Sequence, residues 1–160
     1  MAPNLLDSLL DGPFELTPQP EPVPGDLRLA WGIALVLLIL GRSHGRRASL
    51  QKLHFLAHSA RTRETRHEAK QVFEGGLRPS DFVVRVEPWL NRATAFAKGA
   101  GLIELERGRS AKLTELGIKT LDAVRAAETV LTEEKAFVDA FGPLTTESVV
   151  NKIMRMELRL

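Results

Sequence analysis

All four histidines of this 160-residue chain fall between positions 44 and 67, at His44, His54, His58 and His67. His54 and His58 stand four apart, the spacing that lets two imidazoles on one helix face meet a single metal ion. No third ligand accompanies them: the chain has no cysteine, and the nearest acidic residues lie beyond Arg63. His54 also shares a helix face with Leu50, Leu53 and Ala57, which makes it a core histidine with a backbone partner. No cofactor is asked for. A second group of residues could hold phosphates and bases. Asn91, Arg92, Ala95 and Lys98 would face outward from a helix over 88–100, and Asn and Arg are the usual readers of adenine and guanine. Arg107, Arg109 and Lys112 cluster just downstream, with Glu87, Glu104 and Glu106 beside them. Two charged readers are few for specific base recognition.

The charge distribution extends this. Residues 42–70 carry Arg42, Arg46, Arg47, Lys52, Arg61, Arg63, Arg66 and Lys70 against Glu64 and Glu68 alone. Such a segment is either a solvated face or the mate of an acidic partner, and Arg46 and Arg47 join the candidate DNA contacts. Residues 1–26 are the opposite, with five acidic side chains and no basic one. No phosphate loop of the GxxxxGK[ST] type and no GxSxG elbow occurs, and the carboxylates form no evident pair. Nothing asks for an enzyme.

The elements that must position these groups follow from periodicity and punctuation. Pro88 suits a first helical turn, and Leu90, Ala93, Thr94, Ala97 and Gly101 recur at helical spacing until Gly99 and Gly101 stop it. Leu102–Glu106 is β-prone, Ala111–Leu113 is its return, and Arg107-Gly108-Arg109 is the turn. Thr114 caps a helix reaching about Val130. Upstream, the apolar run Leu29–Leu40 is too short for a bilayer, which needs about 20 residues, and Arg28 and Arg42 close it. A helix from Asp26 to Leu40, buried on nearly all sides, is expected. Ser49 caps a second helix, a third spans about 64–74, and Phe82–Val86 is assigned as the first strand of the small sheet. Thr132 opens another helix, stopped by Gly142-Pro143, and Thr145 or Thr146 starts the last. The fold expected is mainly α with a three-stranded antiparallel sheet: a winged helix-turn-helix over 26–130 followed by C-terminal helices over 131–160.

Residues 1–25 form an acidic, Pro-rich tail that retains Leu5, Leu6, Leu9, Leu10 and Phe14. Idle tails shed large apolar residues, so this one docks on its own domain or in a partner's groove. The lack of cysteine fits a reducing cytoplasm.

The block from Val84 to Gly117 resembles the middle components of bacterial three-component ABC-ATPase conflict systems. A strand leads into a P-x-L-N-R-A helix (Pro88, Leu90, Asn91, Arg92, Ala93). An A-x-x-x-G-L-I hairpin entry follows (Ala97, Gly101, Leu102, Ile103), then L-T-x-x-G (Leu113, Thr114, Gly117). The Leu37–Leu40 helix end, Leu50-Gln51-Lys52-Leu53 and Glu133-Glu134-Lys135-x-Phe137 also fit, so the similarity spans residues 27–141. The acidic leader departs from the pattern. The resemblance implies a non-catalytic adaptor bridging an SMC-like ABC ATPase and an effector protein in anti-phage or anti-plasmid defence, working beside double-stranded DNA. The rival reading is a winged-helix transcription regulator, for which a homodimer is expected; an enzyme accessory or metal sensor would need His54 and His58 to bind metal.

Overall fold

The computed structural model describes residues 25–84 and 87–157. Its first helix, α1 (Gly25–Gly41), is the structural axis. Leu35 to Leu40 are fully buried in succession, because α1 is apolar on every side and neighbours cover it all round. Those neighbours are α2 (Leu50–Ala60), α4 (Pro88–Gly99), α5 (Glu115–Ala126), α6 (Thr132–Phe141) and the sheet. Gly32 allows α4 to approach closely: a Cβ there would lie 3.1 Å from Ala93 Cβ and 3.2 Å from the Trp89 ring. Trp31 and Trp89 meet beside this crossing with ring centroids 5.0 Å apart. No helix among the described residues is long and apolar enough to cross a membrane.

The sheet has three antiparallel strands in the order β1–β3–β2, with β1 Arg47–Ser49, β2 Ile103–Glu106 and β3 Ser110–Leu113. Helix–strand–helix, then helix–hairpin–helix, is a winged-helix arrangement, with α3 (Arg63–Glu74) inserted between α2 and α4. The first strand differs from the sequence expectation. The sheet uses Arg47–Ser49, not Phe82–Val86; Phe82 to Val84 lie outside it, and Arg85 and Val86 are not among the described residues. The β-rich look of this segment reflects burial. Phe82 and Val84 turn into the core while Val83 faces out, and the Phe82 ring packs edge-on against Phe55 and His58. The polar Arg47-Ala48-Ser49 advertises no strand, but it passes the open edge of β3 and takes its hydrogen bonds.

Local chemistry explains the wing. Gly101 takes a positive φ of 73° after α4, and the Leu102 N–H closes on the Ala97 carbonyl at 2.9 Å. Thr114 caps α5 by accepting from the Gly117 N–H at 3.0 Å and donates to the Gly101 carbonyl at 2.6 Å. Gly117 is needed because any Cβ there would overlap the Leu102 carbonyl oxygen. The G-L-I and L-T-x-x-G elements are therefore two sides of one contact, between the end of α4 and the start of α5.

Helix α5 ends at Ala126, earlier than expected, where the Ala127 carbonyl accepts from Lys135 Nζ at 2.6 Å. Leu131, at φ 50°, precedes α6 in place of Thr132. Thr146 caps α7 (Glu147–Glu157) through the Val149 N–H. Val138, Val150, Ile153 and Phe137 belong to the same apolar cluster as α1 and α2, so the C-terminal helices are layered onto the winged-helix core.

Candidate nucleic-acid and partner interface

Helix α4 occupies the recognition-helix position. Leu90, Ala93, Thr94 and Ala97 face the core, and Asn91, Arg92, Ala95, Phe96 and Lys98 are exposed. The four outward positions expected from periodicity are thus outward. Phe96 was not foreseen among them, and it is 58% exposed. It stands four residues after Arg92 and so shares that residue's side of the helix, at the flank of the Ala93/Ala97 stripe, so a helical projection alone would have flagged an aromatic ring beside the polar face.

The expected contacts separate into different surroundings. Asn91 joins Leu50, Leu53, His54 and Thr94 in a groove of about 180 Å³ between α2 and α4. Arg92 has no ion pair among the described residues. Lys98 lines a shallow depression together with Glu104 and Glu106, with no ion pair to either among the described residues. Glu87, immediately before α4, is engaged: its Oε1 accepts from Arg61 Nη1 at 2.6 Å, and only 12% of its side chain is exposed. It therefore presents little free negative charge near Asn91 and Arg92.

The wing gathers the basic residues. In the sheet register Arg47 stands opposite Lys112, and Lys112 stands opposite Glu104 on the far side. Arg46, at φ 54°, enters β1, and the Leu50 N–H donates to the Arg109 carbonyl at 2.9 Å, tying the turn to the start of α2. Arg107 and Gly108, at φ 51° and 64°, form the reversed turn that matches strand twist and projects the tip. Arg47, Arg107, Arg109, Ser110 and Glu106 line a cleft of about 720 Å³, with Arg47 Nη2 2.8 Å from Glu106 Oε1. Residues some sixty positions apart in the chain thus form one basic surface, because β1 brings the end of the first loop to the wing.

His54 and His58 do not find a third ligand: among the described residues no group of three or more metal-ligating side chains comes together. His58 is buried and stacks edge-on against Phe82. Among the described residues no backbone group is hydrogen-bonded to His54, and the Nδ1 atoms of both rings are buried without a partner. Burial holds both imidazoles below the ordinary histidine value, against the opposing pull of Asn91 and Glu87 on His54 and chiefly of Glu87 on His58. His58 Nδ1 lies 3.7 Å from Glu87 Oε1, outside hydrogen-bond range. Leu5, Leu6, Leu9, Leu10 and Phe14, expected to hold a partner, lie outside the described residues.

No protein-family model, curated protein or solved structure matches this chain.

Proposed function

We propose that this chain is a non-catalytic winged-helix adaptor that holds an SMC-like ABC ATPase and an effector protein together beside duplex DNA in a bacterial defence complex. The family named is the one its sequence resembles. The observation that carries the reading is the division of labour between two surfaces. Recognition helices that read bases present polar side chains to the groove, whereas α4 presents Phe96 at 58% exposure with Arg92 and Lys98 as its only outward cations. An exposed aromatic flanked by an arginine is the composition of a protein-contact hot spot. The cations that would sit on phosphates gather in the wing instead, which suits contact without sequence preference. The N-terminal leucines and Phe14 supply a second handle on a partner, and the cytoplasm is the proposed location.

The test looks for an ABC ATPase and an effector encoded beside this chain and reconstitutes them with it. Phe96→Ser should leave the melting temperature of the isolated protein unchanged and weaken complex formation at least tenfold. An unaffected complex removes α4 from the partner surface. Exposed Asn91 and Arg92 support the second reading, a regulator acting as a dimer on a defined operator. Strong discrimination between duplexes, abolished by Asn91→Ala or Arg92→Ala, would replace the adaptor reading with that one.

A further inference from the structure

Helices α2 and α4 meet through two polar pairs. His58 faces Glu87, the residue immediately before α4, with Nδ1 3.7 Å from Oε1. One turn away on each helix, His54 and Asn91 line the groove between them, and the Asn91 side chain interacts with the imidazole. The offset is four residues on both helices, so the two pairs lie along one seam. The histidines share a second property: their Nδ1 atoms are buried without a hydrogen bond, the two such side-chain atoms among the described residues. A neutral imidazole bears this with its proton on Nε2 and a bare lone pair on Nδ1. A protonated imidazole cannot, because both nitrogens then carry N–H donors and the ring carries a charge.

The surroundings offer little to a proton on either ring. The charged groups acting on His58, among the described residues, are Glu87, Arg61 at the end of α2 and Glu68 on α3, and Phe82 closes one side of the ring. Glu87 already accepts from Arg61 Nη1 at 2.6 Å, so it can serve a charged His58 in full only by leaving Arg61. The charged group acting on His54 is again Glu87, from the neighbouring pair. The groove around His54 is walled by Leu50, Leu53, Leu90 and Leu105, and its one hydroxyl, on Thr94, donates to the Leu90 carbonyl at 2.8 Å. Charging the seam therefore places two cations in a contact built for neutral rings. We propose that this seam is a proton-operated latch on α4: neutral His54 and His58 let α2 hold the first turns of α4, and their protonation releases those turns. Burial holds both imidazoles below the ordinary histidine value, which keeps the latch shut near neutral pH. Asn91 and Arg92 lie in the turns that are released, so acid withdraws the outward face of α4, whereas the wing is held separately by the pairing of β1 and β2 with β3. The inference rests on the adaptor reading for what α4 contacts; the release itself is a property of this chain.

The test is amide hydrogen exchange of the full chain, read by mass spectrometry between about pH 7.5 and about pH 5 and corrected for intrinsic exchange. A freed imidazole titrates near its ordinary value of about 6.5, so at about pH 5 each histidine can favour the released state by up to about thirtyfold. Protection of α4 should fall at least about tenfold across this range, while that of α5 changes less than about twofold. In His54→Gln/His58→Gln the protection of α4 should no longer depend on pH. Glu87→Gln is a second arm that leaves both rings in place. It removes the carboxylate that partly supports the charged imidazoles, so the fall in acid should deepen severalfold. If the proton were instead taken up by Glu87, this variant would abolish the fall. The inference is overturned by α4 protection that ignores pH, by equal loss in every helix, or by a fall that persists in the double histidine variant. A fall that is abolished, unchanged or made shallower by Glu87→Gln overturns it as well. No partner enters the measurement, so its failure is distinct from a failure of the adaptor reading.

Discussion

Replacing Arg107 and Arg109 with glutamine should change the salt dependence of DNA binding by an amount the structure dictates. Five basic residues gather at the wing, but they are not equivalent. Arg47 is in contact with Glu106, and Lys112 stands opposite Glu104, so both already face a carboxylate. Arg46, Arg107 and Arg109 have no ion pair among the described residues and are free to meet phosphates. Each phosphate neutralised contributes a slope of about −0.9 to log K against log salt, so three contacts give about −2.7. Raising salt from about 50 to about 200 mM should then weaken wild-type binding roughly 40-fold. The double variant keeps Arg46 alone, with a slope of about −0.9 and a loss of roughly threefold to fourfold over the same range. Glutamine retains most of the side-chain length and accepts the left-handed φ at Arg107 no worse than arginine, so the turn should survive. Fluorescence anisotropy with two unrelated duplexes of equal length, at four salt concentrations, reads both slopes, and circular dichroism checks the fold. A slope that stays near the wild-type value would refute the assignment of phosphate contacts to the wing tip. A change on one duplex but not the other would refute contact without sequence preference.

Three further outcomes are expected. Gly117→Ala drives a methyl group into the Leu102 carbonyl, a backbone atom held by the Thr114 N–H, and should cost about 3 kcal/mol, read as a fall in melting temperature of roughly 10 °C; an unchanged melt would mean that α5 can slide on the hairpin. His54 and His58 have depressed values in the fold, so the unfolded chain binds protons more readily below its ordinary value of about 6.5. Their contribution to stability is complete above that pH and is lost as pH falls below it: the protein should melt lower at about pH 5.5 than at about pH 7.5, and the difference should shrink in His54→Gln/His58→Gln. Deleting residues 1–15 should leave the melting temperature nearly unchanged while weakening assembly with the proposed ATPase or effector; a markedly lower melt would assign Leu5, Leu6, Leu9, Leu10 and Phe14 to this chain's own core.

What the sequence by itself determined is the part of the fold governed by local rules. The apolar run of α1, the Ser49 and Thr114 caps, the Gly99–Gly101 stop and the Arg107–Arg109 turn were legible, and the last cap was narrowed to Thr145 or Thr146, because capping, periodicity and positive φ are settled within a few residues. The outward positions of α4 followed from the same periodicity. Tertiary structure decided the rest. Arg47–Ser49 became the third strand because it passes the free edge of β3, while the more β-prone Phe82–Val84 was taken up by packing against Phe55 and His58. Strand pairing satisfies backbone groups wherever an edge is within reach, so a polar tripeptide outcompeted an apolar one placed elsewhere. That pairing, with the Leu50 N–H on the Arg109 carbonyl and Arg47 on Glu106, brings Arg46 and Arg47 to the wing tip. The contact of Glu147 with Ser49 is likewise invisible in sequence: the packing of α7 (Glu147–Glu157) on α2 brings them together, and no local pattern encodes a meeting of side chains so far apart.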